Sequence, residues 1–189
     1  DAGMLLGSVV ADVSGNWSFI VPELGSGVHK LTATVTTDAN GESAHTAIFE
    51  LTVDTVAPAK PGIDAATDDV GAQQGPVSNG GSTDDTTPTL SGKGESGSTV
   101  HISDNGRLLG SVLVDGNGNW SFTPGTPLID GEHSFTVVSE DLAGNTSEPL
   151  VPYVVIVSTV EPAAPSIESV FDDQGNKQSN LLAGDTTDD

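Results

Sequence analysis

The chain has 189 residues, with 27 acidic side chains against 5 basic ones for a formal net charge of −22, 35% hydrophobic residues and only 4% aromatic ones. A field of that sign repels nucleic acid and anionic membrane surfaces and favours divalent cations. The length allows one or two domains with modest, separate cores, the absence of cysteine rules out a disulfide framework or thiolate metal site, and no apolar run is long enough to span a bilayer.

In chain order, residues 1–57 hold Leu5-Leu6-Gly7-Ser8-Val9, Gly15-Asn16-Trp17-Ser18-Phe19 and Gly27-Val28-His29. They end on Phe49, Leu51 and Val53, which share one face of a half-buried strand. The first two blocks return as Leu108-Leu109-Gly110-Ser111-Val112 and Gly118-Asn119-Trp120-Ser121-Phe122, shifted by 103, and the third as Gly131-Glu132-His133, shifted by 104. A period of that length is the size of one β-sandwich domain. Low aromatic content and high acidity also suit a disordered chain, but regular alternation of Val, Ile, Leu and Phe with Ser and Thr argues for strands.

The register aligns Asp1 with Asp104 and Asp189 with Asp85. Residues 1–57 therefore read as the C-terminal part of one repeat, 58–161 as a complete repeat and 162–189 as the start of the next, a chain cut from something longer. The partial first repeat is expected to carry an unpaired sheet edge and to fold poorly alone. Between repeats lies an acidic, proline-bearing joint, Val53-Asp54-Thr55-Val56-Ala57-Pro58-Ala59-Lys60-Pro61, which recurs as Val157-Ser158-Thr159-Val160-Glu161-Pro162-Ala163-Ala164-Pro165.

Within the complete repeat, strands are predicted near 61–66, 87–93, 98–103, 107–114, 118–123, 132–139 and 147–157, an all-β sandwich. Asn105-Gly106 and Asn117-Gly118 sit where hairpin turns need positive φ. Trp120 and Phe122 share a face and are assigned to the core, as are Trp17 and Phe19. His29 and His133 share a repeat position and are expected to begin an exposed strand. No stretch sustains a helical period.

Calcium takes six to eight oxygen ligands from a flexible backbone, and paired aspartates repel one another unless a cation neutralises them. The pairs Asp68-Asp69, Asp84-Asp85, Asp172-Asp173 and Asp188-Asp189 lie in loops rich in Gly, Asn and Ser. If the first strand runs away from its own joint, the loop from 68 to 85 lies at the far pole beside the next joint. The loop from Asp141 to Asn145 then lies at the near pole beside Asp54. Each joint would draw calcium ligands from two domains and a linker, a reading preferred to the plainer one of solvated turn aspartates capping their own backbone.

Asp115-Gly116-Asn117-Gly118-Asn119 opens like an EF-hand loop, but Trp120 stands where that loop needs glycine and Thr126 where it needs glutamate, so it reads as a hairpin turn. Gly92-Lys93-Gly94-Glu95-Ser96-Gly97 matches a dinucleotide fingerprint, yet Ser98-Thr99-Val100-His101-Ile102 continues it as strand rather than helix. The four histidines have no zinc-binding spacing, and no serine sits in a nucleophile elbow. Catalysis finds no support.

Thr83-Asp84-Asp85-Thr86-Thr87-Pro88-Thr89-Leu90-Ser91-Gly92, the Gly118–Phe122 block, Asp130-Gly131-Glu132-His133-Ser134-Phe135 and Asp141-Leu142-Ala143-Gly144-Asn145 together resemble the bacterial immunoglobulin-like repeats of giant type I-secreted adhesins of the RTX and biofilm-associated kinds. The resemblance covers essentially the whole chain. It implies tandem Ig-like sandwiches at the cell surface, stiffened by calcium at the joints, with neighbouring repeats and host or biofilm surfaces as partners. Ser158 departs from the pattern, standing where the first joint has Asp54; Glu161 is the nearest substitute carboxylate. The expected function is an extender segment; the alternative is a module whose polar loops grip a carbohydrate or surface protein, which exposed Trp17 and Trp120 would favour.

Overall fold

The computed structural model describes residues 1, 3–37, 41–172, 179–181 and 183. All regular structure among them is β. The strands are β1 (Gly27–Leu31), β2 (Thr36–Thr37), β3 (Gly41–Glu42), β4 (Phe49–Val53), β5 (Ala65–Asp68), β6 (Gly75–Val77), β7 (Gly81–Thr83), β8 (Thr89–Lys93), β9 (Thr99–Asp104), β10 (Arg107–Leu113), β11 (Asn119–Phe122), β12 (Gly131–Glu140), β13 (Tyr153–Val157), β14 (Val170–Asp172) and β15 (Ser179–Leu181). The chain divides into two compact units, Asp1–Thr159 and Val160–Asp189.

The centre of the first unit is an Ig-like sandwich. One sheet has the order β10-β9-β12-β13-β7 and the other β11-β8-β5-β6. Pairing is antiparallel except where β7 runs parallel to β13. Strand β12 shows why these residues make a sandwich: His133, Phe135, Val137 and Ser139 alternate inward while the residues between them remain partly open, the period of a strand with one covered face. From the two sheets Leu90, Val100, Ile102, Val114, Trp120, Phe135, Val155 and Val157 are buried together.

The Asn105-Gly106 turn has φ of 48° and 81°, the paired positive values of a tight hairpin whose twist matches its strands. At Asp115–Asn119 only Gly118 is positive, at 77°. The strands flanking that turn, β10 and β11, belong to different sheets. It is therefore a corner between the layers, not the hairpin expected.

Four strands also depart from the expected assignments. β6 and β7, built from Gly, Pro, Ser, Thr and one Val, have no apolar alternation and went unforeseen. β5 begins at Ala65, although Gly62 and Asp64 already donate backbone bonds to Lys93 and Ser91. The last strand is only Tyr153–Val157, because Pro149 and Pro152 cannot donate to a ladder.

The repeat is visible in the backbone. Gly27 to Leu31 pair with Val53 to Phe49, as Gly131 to Phe135 pair with Val157 to Tyr153. Val170 to Asp172 pair with Leu181 to Ser179, as Ala66 to Asp68 pair with Val77 to Gly75. Both correspondences are a shift of 104. In residues 1–57, by contrast, no described residue is buried. Trp17 is 57% exposed where Trp120 is 3% exposed. Trp120 lies against β8, with its Nε1 donating to the Lys93 carbonyl at 3.1 Å; the repeat register assigns no residue of this chain to that role for Trp17. The core assignment holds for Trp120 and fails for Trp17.

Candidate functional site: the two poles of the sandwich

At the pole where the chain enters, Asn145 Nδ2 donates to the Asp54 carbonyl at 3.2 Å. The Asp141 carboxylate closes its own loop: Oδ1 accepts from the Ala143 and Asn145 amides at 2.8 and 2.9 Å, and Oδ2 from Asn145 Nδ2 at 2.8 Å. The Asn145 bonds, above all the one from its side chain, hold the Asp141 carboxyl below the ordinary aspartate value. Asp54 is exposed and accepts from the Val56 amide at 3.0 Å. Glu95 accepts from the Ala59 amide at 2.8 Å, and Pro58 and Pro61 are buried. Sequence reasoning passed over Glu95, whose Gly-rich surroundings marked it only as a false dinucleotide motif.

At the exit pole, Asp68 and Asp85 are buried, 5% and 1% exposed. Thr83 stands between them: its hydroxyl donates to Asp68 Oδ2 at 2.5 Å and accepts from the Asp85 amide at 3.0 Å. Asp85 Oδ1 accepts from the Thr87 amide at 2.7 Å, while Oδ2 is buried without a partner. Asp69 and Asp84 are exposed. An open hollow lined by Asp68, Ala72, Gln73, Ser82, Thr83, Asp84 and Ser158 connects this loop with the exit linker, and the Ser158 amide donates to the Thr83 carbonyl at 2.9 Å.

The structure thus sets the 141–145 loop beside the first joint and the 68–85 loop beside Ser158. It does not draw the carboxylates into a ring. Among the described residues no three His, Asp or Glu side chains gather in a way that could hold a metal ion. Asp172 ends β14, and Asp173, Asp188 and Asp189 lie outside the described residues. The donors available are hard oxygens, the kind calcium takes, and the orphaned Asp85 oxygen is a buried acceptor in need of a partner.

His133 overturns the expectation of an exposed strand start. It is 5% exposed, with Nδ1 2.7 Å from Asp104 Oδ2 and Nε2 2.8 Å from the Ile129 carbonyl. A carboxylate and a carbonyl offset the loss of water that a polar ring suffers there.

Among curated proteins, none matches this chain. A solved structure of the fibronectin(III)-like modules of CbhA from Clostridium thermocellum is similar at 16% identity and a TM-score of 0.43, covering 78% of this chain and 72% of that one. Residues 58–157 match the family model of the bacterial Ig-like domain. Such domains are typically non-catalytic structural modules and are commonly extracellular or surface-exposed; among the described residues, no helix is long and apolar enough to cross a membrane. Spanning more than half of the sequence and coinciding with the two-sheet sandwich, this match establishes that the chain belongs to the bacterial Ig-like domain family.

Proposed function

We propose that this chain is an extender segment of a bacterial surface adhesin, in which Ig-like sandwiches follow one another and calcium at the joints limits bending. The observation that carries this reading is the first joint itself. Two linker residues hydrogen-bond the loops of the following sandwich, the Asp54 carbonyl accepting from Asn145 and the Ala59 amide donating to Glu95, so the joint is seated rather than loose.

Calcium would be held by Asp54, Asp141 and Asn145 at the entry pole, and by Asp68, Asp69, Asp84 and Asp85 at the exit pole. A net charge of −22 and the unpartnered oxygen of Asp85 support a cation there. Asp54, Asp69 and Asp84 are exposed and would have to turn inward to complete a coordination shell of six to eight oxygens. By the repeat register, Asp172, Asp173, Asp188 and Asp189 would serve the next joint in the same way. Partners are then neighbouring repeats, with host or biofilm surfaces met elsewhere on the adhesin.

Calorimetric titration of the metal-free chain with calcium tests the metal component. Saturable heat that is weakened by Asp85→Asn and by Asp54→Asn is expected, whereas no binding in the millimolar range, where extracellular modules bind calcium, would reject it. The tryptophans divide: Trp120 is buried and offers no platform for stacking a sugar, whereas Trp17 is 57% exposed, so their burial does not separate the extender reading from the carbohydrate-binding alternative.

A further inference from the structure

From the contacts of His133 we infer that the complete sandwich carries a proton-dependent latch, in which a buried imidazolium clamps the loop that holds the exit linker. Nδ1 of His133 faces a carboxylate oxygen of Asp104 and Nε2 faces the Ile129 carbonyl. Both partners are acceptors only, and a neutral imidazole carries a single N–H. The two contacts can be made together only by the doubly protonated ring.

The clamp reaches the linker in one step along the chain. Next to Ile129, Asp130 Oδ1 accepts from both the amide and the hydroxyl of Thr159, at 3.2 and 2.9 Å, just beyond the end of β13. Losing the His133 proton leaves either the Ile129 carbonyl or Asp104 facing a lone pair. The bond to the Asp104 carboxylate is charge-assisted and the stronger of the two, so the proton leaves Nε2 and the loop carrying Asp130 loses its anchor at Ile129.

The first copy repeats the arrangement. His29 Nδ1 lies 2.6 Å from Asp1 Oδ2 and Nε2 2.8 Å from the Gly25 carbonyl. The next residue, Ser26, holds Thr55 through its hydroxyl, accepting from the Thr55 amide at 3.0 Å and meeting its hydroxyl at 2.5 Å. Histidine, carboxylate, carbonyl and latched threonine recur with the latch residue changed from Asp to Ser, which marks the assembly as part of the repeat and not an accident of one loop.

The groups facing His133 are few. From the end of β9 comes Asp104, which also accepts from the Ser134 amide at 3.0 Å. Opposite on β13 is Val155, and Phe135 stacks at 6.2 Å, both without charge. Asp130, in the preceding loop, is engaged with Thr159. Burial works against the charged ring, but the Ile129 carbonyl and the bond and charge of Asp104 outweigh it, raising the His133 pKa above its ordinary 6.5. Because the folded value is the higher one, the stabilisation is complete below the unfolded value and disappears as pH rises through the folded one.

The test uses the full chain in EDTA, so that calcium plays no part. Nitrogen NMR of the imidazoles from pH 5 to 9 should show both His133 nitrogens protonated at pH 6.5. The exchange protection of the Thr159 amide, corrected for intrinsic rate, should fall severalfold as that proton leaves, while Val137 in the core stays protected. In Asp130→Ala the His133 titration should persist and the pH dependence at Thr159 should vanish. A His133 ring singly protonated at pH 6.5, or Thr159 protection unchanged across its titration, would overturn the latch.

Discussion

Gly92 decides how closely β8 can approach the segment leading into β5. A Cβ built there would lie 2.0 Å from the Gly62 carbonyl oxygen and 3.0 Å from the Trp120 ring. Backbone cannot yield as a side chain tip can, so Gly92→Ala should destabilise the sandwich by about 1–3 kcal/mol or more, read as a lower denaturant midpoint at unchanged slope. Gly116, with nothing within 4 Å, should accept alanine with little effect. The aspartates at turn corners behave differently. The Asn119 backbone bond, ahead of its side-chain bond, depresses the Asp115 carboxyl, and the Asn145 side-chain bond depresses that of Asp141, both below 3.8. A depressed folded value stabilises above the unfolded value and is lost as pH falls through the folded one. Carbon NMR titration should therefore find both carboxyls protonating below ordinary aspartate, and Asn145→Ala should bring Asp141 back toward it. The aspartates were legible in the sequence as turn residues; the buried His133 was not, because nothing local in Asp130-Gly131-Glu132-His133 announces a carboxylate 29 residues away.

At the scale of elements, what could be read and what could not divide by apolar content. β12 alternates Phe135 and Val137 with Ser134 and Thr136, β13 is a continuous apolar run from Tyr153 to Val157, and both were recognisable. β6 and β7 are held in their sheets by neighbours, with Pro76 opposite Thr67 and Ser82 opposite Ile156, so tertiary pairing rather than propensity creates them. The β9–β10 hairpin depends on Gly106 at φ 81°; a β-branched residue there is strained by about 1–2 kcal/mol, and Gly106→Val should lower stability by that order while Asn105→Gly is tolerated. The paired tryptophans give a sharper contrast. Trp120→Ala should cost about 3–5 kcal/mol by opening the core, and Trp17→Ala within about 0.5 kcal/mol, compared by denaturant unfolding followed by circular dichroism, which does not rely on the tryptophan removed.

For the whole molecule, the repeat was the most informative feature of the sequence, because identical registers at a shift of 104 reappear in the ladders of β1–β4 and β12–β13, and of β5–β6 and β14–β15. Counting strands outward from a joint told which loops lie beside it. What it could not tell was side-chain reach: Asp68 and Asp85 turn into the sandwich to bond Thr83 and Thr87, local partners that a count of carboxylates does not register. The extender reading requires that added calcium change the relation between successive sandwiches without changing their secondary structure. Small-angle scattering of the full chain, recorded with calcium and again in EDTA at matched ionic strength, measures this most directly. A longer maximum dimension with calcium at constant far-ultraviolet circular dichroism is predicted; superimposable scattering profiles in the two conditions would contradict it.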